Sequence, residues 1–171
     1  MKLKREIYEM RAYELAPYLL GKVLCRKTED GVLRARICET ECYFGESDSA
    51  CHAHKGKTPR TKTLYKKGGI AYVYLCYGIH SLINVVSGEE DFPEAVLIRG
   101  VDGAQGPGRV TKFMKIDRSL NEVSFVDSEE LWIEDDGYVV TYSTDKRVGI
   151  DYADDMDRER KWRFILNAPK K

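Results

Sequence analysis

A carboxylate spaced two residues from an aromatic hydroxyl on a strand-forming run can activate water, and this chain carries such a run. In Arg36-Ile37-Cys38-Glu39-Thr40-Glu41-Cys42-Tyr43, the alternation of a strand puts Glu39, Glu41 and Tyr43 on one face. Cys38, Thr40, Cys42 and Phe44 take the other face, which is the better candidate for core. Two readings of the first face stand side by side. It is either a solvated edge with two acids, or a carboxylate beside a ring in a cleft, where partial desolvation raises its pKa and suits it to general-base work.

Other segments add groups that could complete a site. In Tyr72-Val73-Tyr74-Leu75-Cys76-Tyr77-Gly78, Tyr72 and Tyr74 share a face and Tyr77 reaches the strand tip beside a turn-forming glycine. A tyrosine at such a tip can wedge into a base stack, where stacking contributes roughly 1–3 kcal/mol per base. Cys51-His52-Ala53-His54 fits no standard zinc spacing, so a histidine offering a ring face and a hydrogen bond in a pocket is the better reading. Arg99 ends an apolar strand and is either a snorkelling surface residue or a charge that orients a carboxylate or a water. Asn84, in another apolar strand, needs a partner if buried. Gly106-Pro107-Gly108-Arg109 is a turn whose following helix could offer amides to a phosphate. No nucleotide-binding loop and no nucleophile elbow is present.

The elements that must hold these groups are mostly strands. Helical spacing marks the first twenty residues, with Gly21 placed to end a helix. Strands are predicted over 22–28 and 32–44 with a turn at 29–31, then over 70–77, 80–87 and 94–101. A long loop with room for a helical turn fills 45–69, and long ordered loops are often functional. A helix is predicted over 109–114, and short strands over 131–134, 138–142, 148–152 and 162–166. Strands joined by turns with few helices imply an α+β fold, a single domain over 1–171 around a largely antiparallel sheet.

Composition narrows the class. The 171 residues carry 28 Lys+Arg and 28 Asp+Glu, with five cysteines. No apolar run approaches the roughly 20 residues that span a bilayer, and the first residues lack a signal-peptide core, so a cytoplasmic protein with reduced cysteines is expected. The neutral balance (sequence pI near 6.8) counts against nucleic-acid binding, but the distribution is uneven. No acid falls between Asp48 and Glu89, where Lys55, Lys57, Arg60, Lys62, Lys66 and Lys67 lie, whereas acids concentrate from Glu122 to Asp136. That pattern is either two solvated loops of opposite sign or a basic face that meets phosphates.

Together these segments resemble the alkyladenine (3-methyladenine) DNA glycosylase family. The matching blocks are 39–45, 48–52, 56–60, 71–80, 84–86, 96–99, 106–109 and 147–150, with the Leu19 to Leu24 run before them. The resemblance implies a monofunctional base-excision enzyme without metal or redox cofactor, a monomer in the cytoplasm or at the nucleoid, acting on duplex DNA that contains damaged purines. It assigns Glu41 as the base that activates water and Arg99 as the group that positions the water or the carboxylate. Tyr43, His52 and Tyr74 would line the flipped-base pocket, with Asn84 where purines are screened by their exocyclic amino group, disfavouring normal guanine. Tyr77 would fill the gap in the duplex, with Ile150 on the rim beside it and Lys57, Arg60, Gly108 and Arg109 towards the backbone.

Two other classes fit parts of the sequence. A two-carboxylate hydrolase of free nucleosides could use Glu39 and Glu41, about 7 Å apart along a strand. A stacking module could bind damaged or single-stranded DNA without cutting it, and would have no need of the Glu41 carboxylate.

Overall fold

A computed structural model describes residues 1–167. The chain starts with a 3-10 turn, Arg5–Glu9, and helix α1, Ala12–Tyr18. Met10 and Arg11 between them are extended rather than helical. The break has a local cause: Glu94, from a distant strand, accepts the Ala12 N–H (2.9 Å) and the Arg11 Nε–H (2.8 Å). A carboxylate thus supplies the cap that the sequence before Ala12 lacks.

Strands β1 (Val23–Thr28), β2 (Gly31–Phe44), β3 (Ala71–Cys76), β4 (His80–Ser87) and β5 (Glu94–Val101) follow. Then come β6 (Ala104–Gln105), α2 (Pro107–Phe113), β7 (Leu131–Glu134), β8 (Tyr142–Asp145), α3 (Asp155–Glu159) and β9 (Arg163–Leu166). The sheet runs β3-β4-β5-β2-β1-β7, with β6 on β5, β9 on β2 and β8 on β9. Every strand pairing among the described residues is antiparallel. The fold is therefore the α+β architecture expected, organised on the 14-residue β2.

Two expected strands are absent. The segment 138–142 is not a strand, and β8 begins where it ends. Residues 148–152 form a bend, because the Val148 N–H bonds a glutamate side chain instead of a neighbouring strand. The long 45–69 loop is built of three short 3-10 turns, Gly45–Ser47, His52–Lys55 and Thr61–Tyr65.

Alternation along the strands sorts side chains into two layers. Val73, Ile83, Val85, Val96, Ile98 and Cys42 join the main core, together with Leu15 of α1, Leu19 just after it and Val110 of α2. Tyr72, Val86 and Ala95 belong to a second, smaller cluster with Cys51, Ala53 and Leu64 of the loop. The loop is closed onto the sheet through Gly68, whose N–H bonds Gly88 O at 2.9 Å. A Cβ on Gly68 would lie 2.3 Å from Tyr8 O and 2.9 Å from Gly88 N. Backbone atoms cannot yield as side chains do, so Gly68→Ala is expected to lower stability by roughly 3 kcal/mol. Chemical denaturation measures this, and a midpoint unchanged from wild type would show that the loop closure is less tight than drawn.

Candidate active site

The second layer of the sheet opens into a cavity of about 390 Å³, within the range of small-molecule sites. Its floor follows the strand alternation. One row of paired residues runs across five strands: Tyr72 opposite Asn84, Asn84 opposite Leu97, Leu97 opposite Glu41, and Glu41 opposite Arg163. At strand spacing, Asn84 and Glu41 sit about 10 Å apart across the sheet. The loop contributes Ala50, Cys51, His52 and Arg60 to the walls, and the bend after β8 contributes Val148, Gly149, Ile150 and Tyr152.

Glu41 has none of its surface exposed. Its Oε1 accepts from the Tyr43 hydroxyl at 2.9 Å, and its Oε2 accepts from the Val148 N–H at 2.7 Å. Burial pushes its pKa above the usual carboxylate range, against the opposing pull of the Val148 N–H, Arg99, Tyr43 and Arg147. Its partners Tyr43 and Val148 line the cavity, as does Arg99, with Glu41 directly behind them. Burial and the neighbouring Glu41 also hold the Tyr43 phenol well above its ordinary value, so it remains a donor.

The second glutamate has a different setting. Between β2 and β5 the register slips on both sides of Glu39, and such a bulge re-aims side chains. Gly100 permits the close approach there, since a Cβ would lie 3.2 Å from both Cys38 Sγ and Glu39 Cβ. Glu39 Oε1 is then 3.0 Å from Arg99 Nε and 3.2 Å from Arg163 Nη1. Glu39 is thus occupied as an ion-pair partner, and Arg99 is fixed at the cavity wall.

The aromatic wall is equally ordered. His52 Nδ1 lies 3.1 Å from the Tyr72 hydroxyl, and its ring packs edge-on against Tyr74 with centroids 4.5 Å apart. Burial, with Arg60 nearby, pushes the His52 pKa down to about 4, so the ring is neutral at physiological pH. The Arg60 guanidinium covers the Tyr74 ring at 5.0 Å. At the mouth, Tyr77 is 90% exposed and adopts a φ of 52°, followed by Gly78 at 67°. The two residues are the central pair of the turn in the three-residue β3–β4 connection (77–79), closed by the Ile79 N–H to Cys76 O bond at 3.2 Å, a conformation that favours Asn-Gly over a bulky aromatic.

Residues 6–104 and 101–170 match the methylpurine-DNA glycosylase family. The chain belongs to the methylpurine-DNA glycosylase family. Its relatives include a protein of Psychrobacter cryohalolentis, 44% identical over 82% of this chain and 81% of its own length. A Borreliella burgdorferi protein is 37% identical over 98% of this chain and 97% of its own. A third, from Methanocella arvoryzae, is 39% identical over 98% and 94%. All three are provisionally named 3-methyladenine DNA glycosylases. Membership makes the protein an enzyme of DNA repair, a hydrolase of N-glycosidic bonds.

In this glycosylase, Tyr43, His52, Tyr74, Asn84 and Arg99 line one cavity, with Glu41 beneath its wall and Tyr77 at its mouth. Ile150, 4% exposed, packs with Ala50 and Ala153 and lines the same cavity as Tyr77. Lys57 stands over the Tyr65 ring on the loop surface, outside the cavity. Gly108 lies against the His80 ring, where a Cβ would come within 3.0 Å, and Arg109 is exposed beside Lys112 and Phe113. Of the loop lysines, Lys66 and Lys67 pair with Glu122 and Glu9. Lys55, Lys57, Arg60 and Lys62 have no carboxylate partner among the described residues.

The five cysteines are free, and no group of three or more His, Cys, Asp or Glu among the described residues is arranged to hold a metal. Sequence reasoning gave no role to the Val148 N–H, to Tyr72 or to Tyr152, whose hydroxyl donates to Ala50 O at 2.7 Å. A backbone amide leaves no mark in residue type. Tyr72 was legible as the alternate neighbour of Tyr74.

The raised pKa of Glu41 has a consequence for stability. The folded state holds its proton more tightly than the unfolded state does, so Glu41 weakens the fold as pH rises out of the ordinary carboxylate range. Glu41→Gln removes that penalty. The variant is expected to melt at or above the wild-type temperature at pH 7, with the difference shrinking towards pH 4. A variant that melts lower at pH 7 would contradict the balance described for this carboxylate.

Proposed function

We propose that the enzyme flips a damaged purine (3-methyladenine, 7-methylguanine, hypoxanthine or ethenoadenine) out of duplex DNA and hydrolyses its bond to the sugar. Glu41 acts as the general base for the attacking water, with no lyase step, and residues 1–171 work as one domain and a monomer. The observation that carries this reading is the Glu41 carboxylate, buried at the wall of an aromatic cavity with a basic loop and an exposed tyrosine at its mouth. Its Oε1, with two lone pairs and one protein donor, keeps an acceptor site for a water. The transition state is oxocarbenium-like, so a nearby negative charge also stabilises it electrostatically.

Tyr43, His52 and Tyr74 offer ring faces to the purine. Asn84, whose Nδ2–H donates to Tyr72 O at 3.3 Å, is held in the cavity lining, where it screens purines by their exocyclic amino group and disfavours normal guanine. Arg99, held by Glu39, favours the ionised form of Glu41. Tyr77 stacks into the gap left by the base, and Lys57, Arg60 and Arg109 face the phosphates, so binding falls steeply with salt. The enzyme works in the cytoplasm or at the nucleoid, where its DNA is. The occupation of Glu39 by two guanidiniums favours this reading over a paired-carboxylate nucleoside hydrolase.

Excision from a duplex bearing one hypoxanthine or one ethenoadenine, read by alkaline cleavage of the abasic site, tests the assignment. Glu41→Gln is expected to lose the general-base contribution, about 10²–10⁴-fold, while still binding the duplex. Equal turnover by the two proteins would remove Glu41 from the role. The wild-type kcat/KM should fall with decreasing pH at a point above the ordinary carboxylate range, without a break at the usual histidine value, because His52 is already neutral there.

Tyr77→Ala should weaken capture of the flipped state without changing the order of lesion preference. A changed order at unchanged affinity would place Tyr77 in base selection instead.

A further inference from the structure

One buried cation lies outside the roles above. The Arg147 side chain is 0% exposed, and its four terminal N–H groups have four acceptors. Nη1 donates to Cys42 O at 2.9 Å and to Asp48 Oδ2 at 2.6 Å, whereas Nη2 donates to Asp48 Oδ1 at 2.9 Å and to Asp157 O at 3.2 Å. Asp48 in turn accepts the Phe44 and Ala50 N–H groups. The guanidinium also lies 5.0 Å from the Tyr43 ring centroid.

The sequence neighbours of these contacts matter more than the contacts themselves. Cys42 follows Glu41 on β2, and Val148, whose N–H reaches Glu41 Oε2, follows Arg147. One fork therefore joins the strand that carries the carboxylate to the bend that carries its donor. We infer that Arg147, clamped by Asp48, is a positioning residue for the glycosylase reaction, fixing the Val148 N–H against Glu41. The inference rests on Glu41 acting as the base.

A fork of this kind is suited to the task, because a bidentate carboxylate pair fixes orientation as well as distance. Without it, the bend after β8 has no strand partner to hold it, and Glu41 loses a donor that favours its ionised form. Other charged and titratable groups face Glu41 from every side. Glu39 and Tyr43 lie on β2, Arg99 on β5 and Arg163 on β9, with Tyr152 on the bend and Asp48 on the loop. Replacing Arg147 and Asp48 together leaves the net charge of that set unchanged, so a shifted pH profile then reports the lost positioning and the altered field at Glu41, not a loss of overall charge.

The double variant R147M/D48N removes the fork without leaving a buried charge unpaired, a defect that would itself unfold the protein. R147K keeps the charge but offers three donors from a single nitrogen to four acceptors, and so loses the bidentate fork. Both are measured by single-turnover excision of hypoxanthine across pH, beside duplex binding and thermal melting. At pH 7 the double variant is expected to excise about 10–100-fold more slowly, with unchanged duplex affinity. Its acid limb should move to higher pH, and R147K should show the same change to a smaller extent.

A folded double variant with the wild-type rate and acid limb overturns the inference. If that variant does not fold, R147K decides in the same way. Glu41→Gln in the same assay separates the two levels. An inactive Glu41→Gln beside unaffected Arg147 variants removes only the positioning role, whereas an active Glu41→Gln removes the base itself.

Discussion

Glu41 lies in the last third of the longest strand, paired to β5 on one side and β9 on the other, with its carboxylate wholly out of water. Removing an ion from water costs several kcal/mol even after the protein relaxes, and much of the surrounding structure offsets that cost. The Val148 amide and the Tyr43 hydroxyl donate to the two oxygens, while Arg99 and Arg147 supply positive potential. The offset is incomplete, which leaves the carboxylate more basic than usual. For the proposed general-base role, incomplete compensation is the useful condition.

That constraint explains why the sheet is two-sided. A central strand can present polar groups only if one face is given to them, and β2 gives Thr40, Cys42 and Phe44 to the helix side. The opposite face needs its own cover, since a bare aromatic floor would be a hydrophobic patch in water. The 45–69 loop provides that cover through Cys51, Ala53, Leu64 and Tyr65. The bend after β8 closes the other side through Ile150 and Ala153, and the Asp48–Arg147 pair joins the two covers. The cavity is thus the gap between two loops laid on one sheet face.

The parts of this arrangement that follow from period-two alternation were readable in the sequence. The faces of β2, β3 and β4, the hairpin ending at Tyr77, and the shared face of Glu39, Glu41 and Tyr43 all follow from it. The parts that depend on distant partners were not readable. Alternation made Glu39 and Glu41 look equivalent, and only the bulge opposite Gly100, which brings Arg99 and Arg163 onto Glu39, separates them. The 148–152 segment reads as a strand by composition, because nothing local reveals that its first N–H belongs to a carboxylate 107 positions away. The acids from Glu122 to Asp136 read either as a solvated loop or as a face turned away from a basic one, and their partners were not readable. In the fold, Glu122, Asp127, Glu134 and Asp136 pair with Lys66, Arg5, Arg34 and Arg36. The neutral total thus hides the basic loop because acids elsewhere are matched to structural arginines and a lysine.

Two residues break the local rules of their elements, and they sit at opposite ends of the same cavity. Glu41 is a charge buried in a strand. Tyr77 is a bulky aromatic at positive φ, a conformation that costs of order 1 kcal/mol. The other non-glycine residues at positive φ among those described are Asp91, Lys115 and Glu122, none of them aromatic. A tyrosine left 90% exposed at a strained hairpin turn gains nothing for the folded state. Local rules that fail without a structural return usually mark a functional site. Here the two failures have complementary logic. Under the proposed reading, the strain at Tyr77 holds a ring outward where a base stack would receive it, and the burial of Glu41 holds a basic carboxylate where the displaced nucleoside would arrive. The sheet between them sets their separation, so on that reading the rigidity of β3, β4, β5 and β2 would belong to the chemistry as much as to the fold.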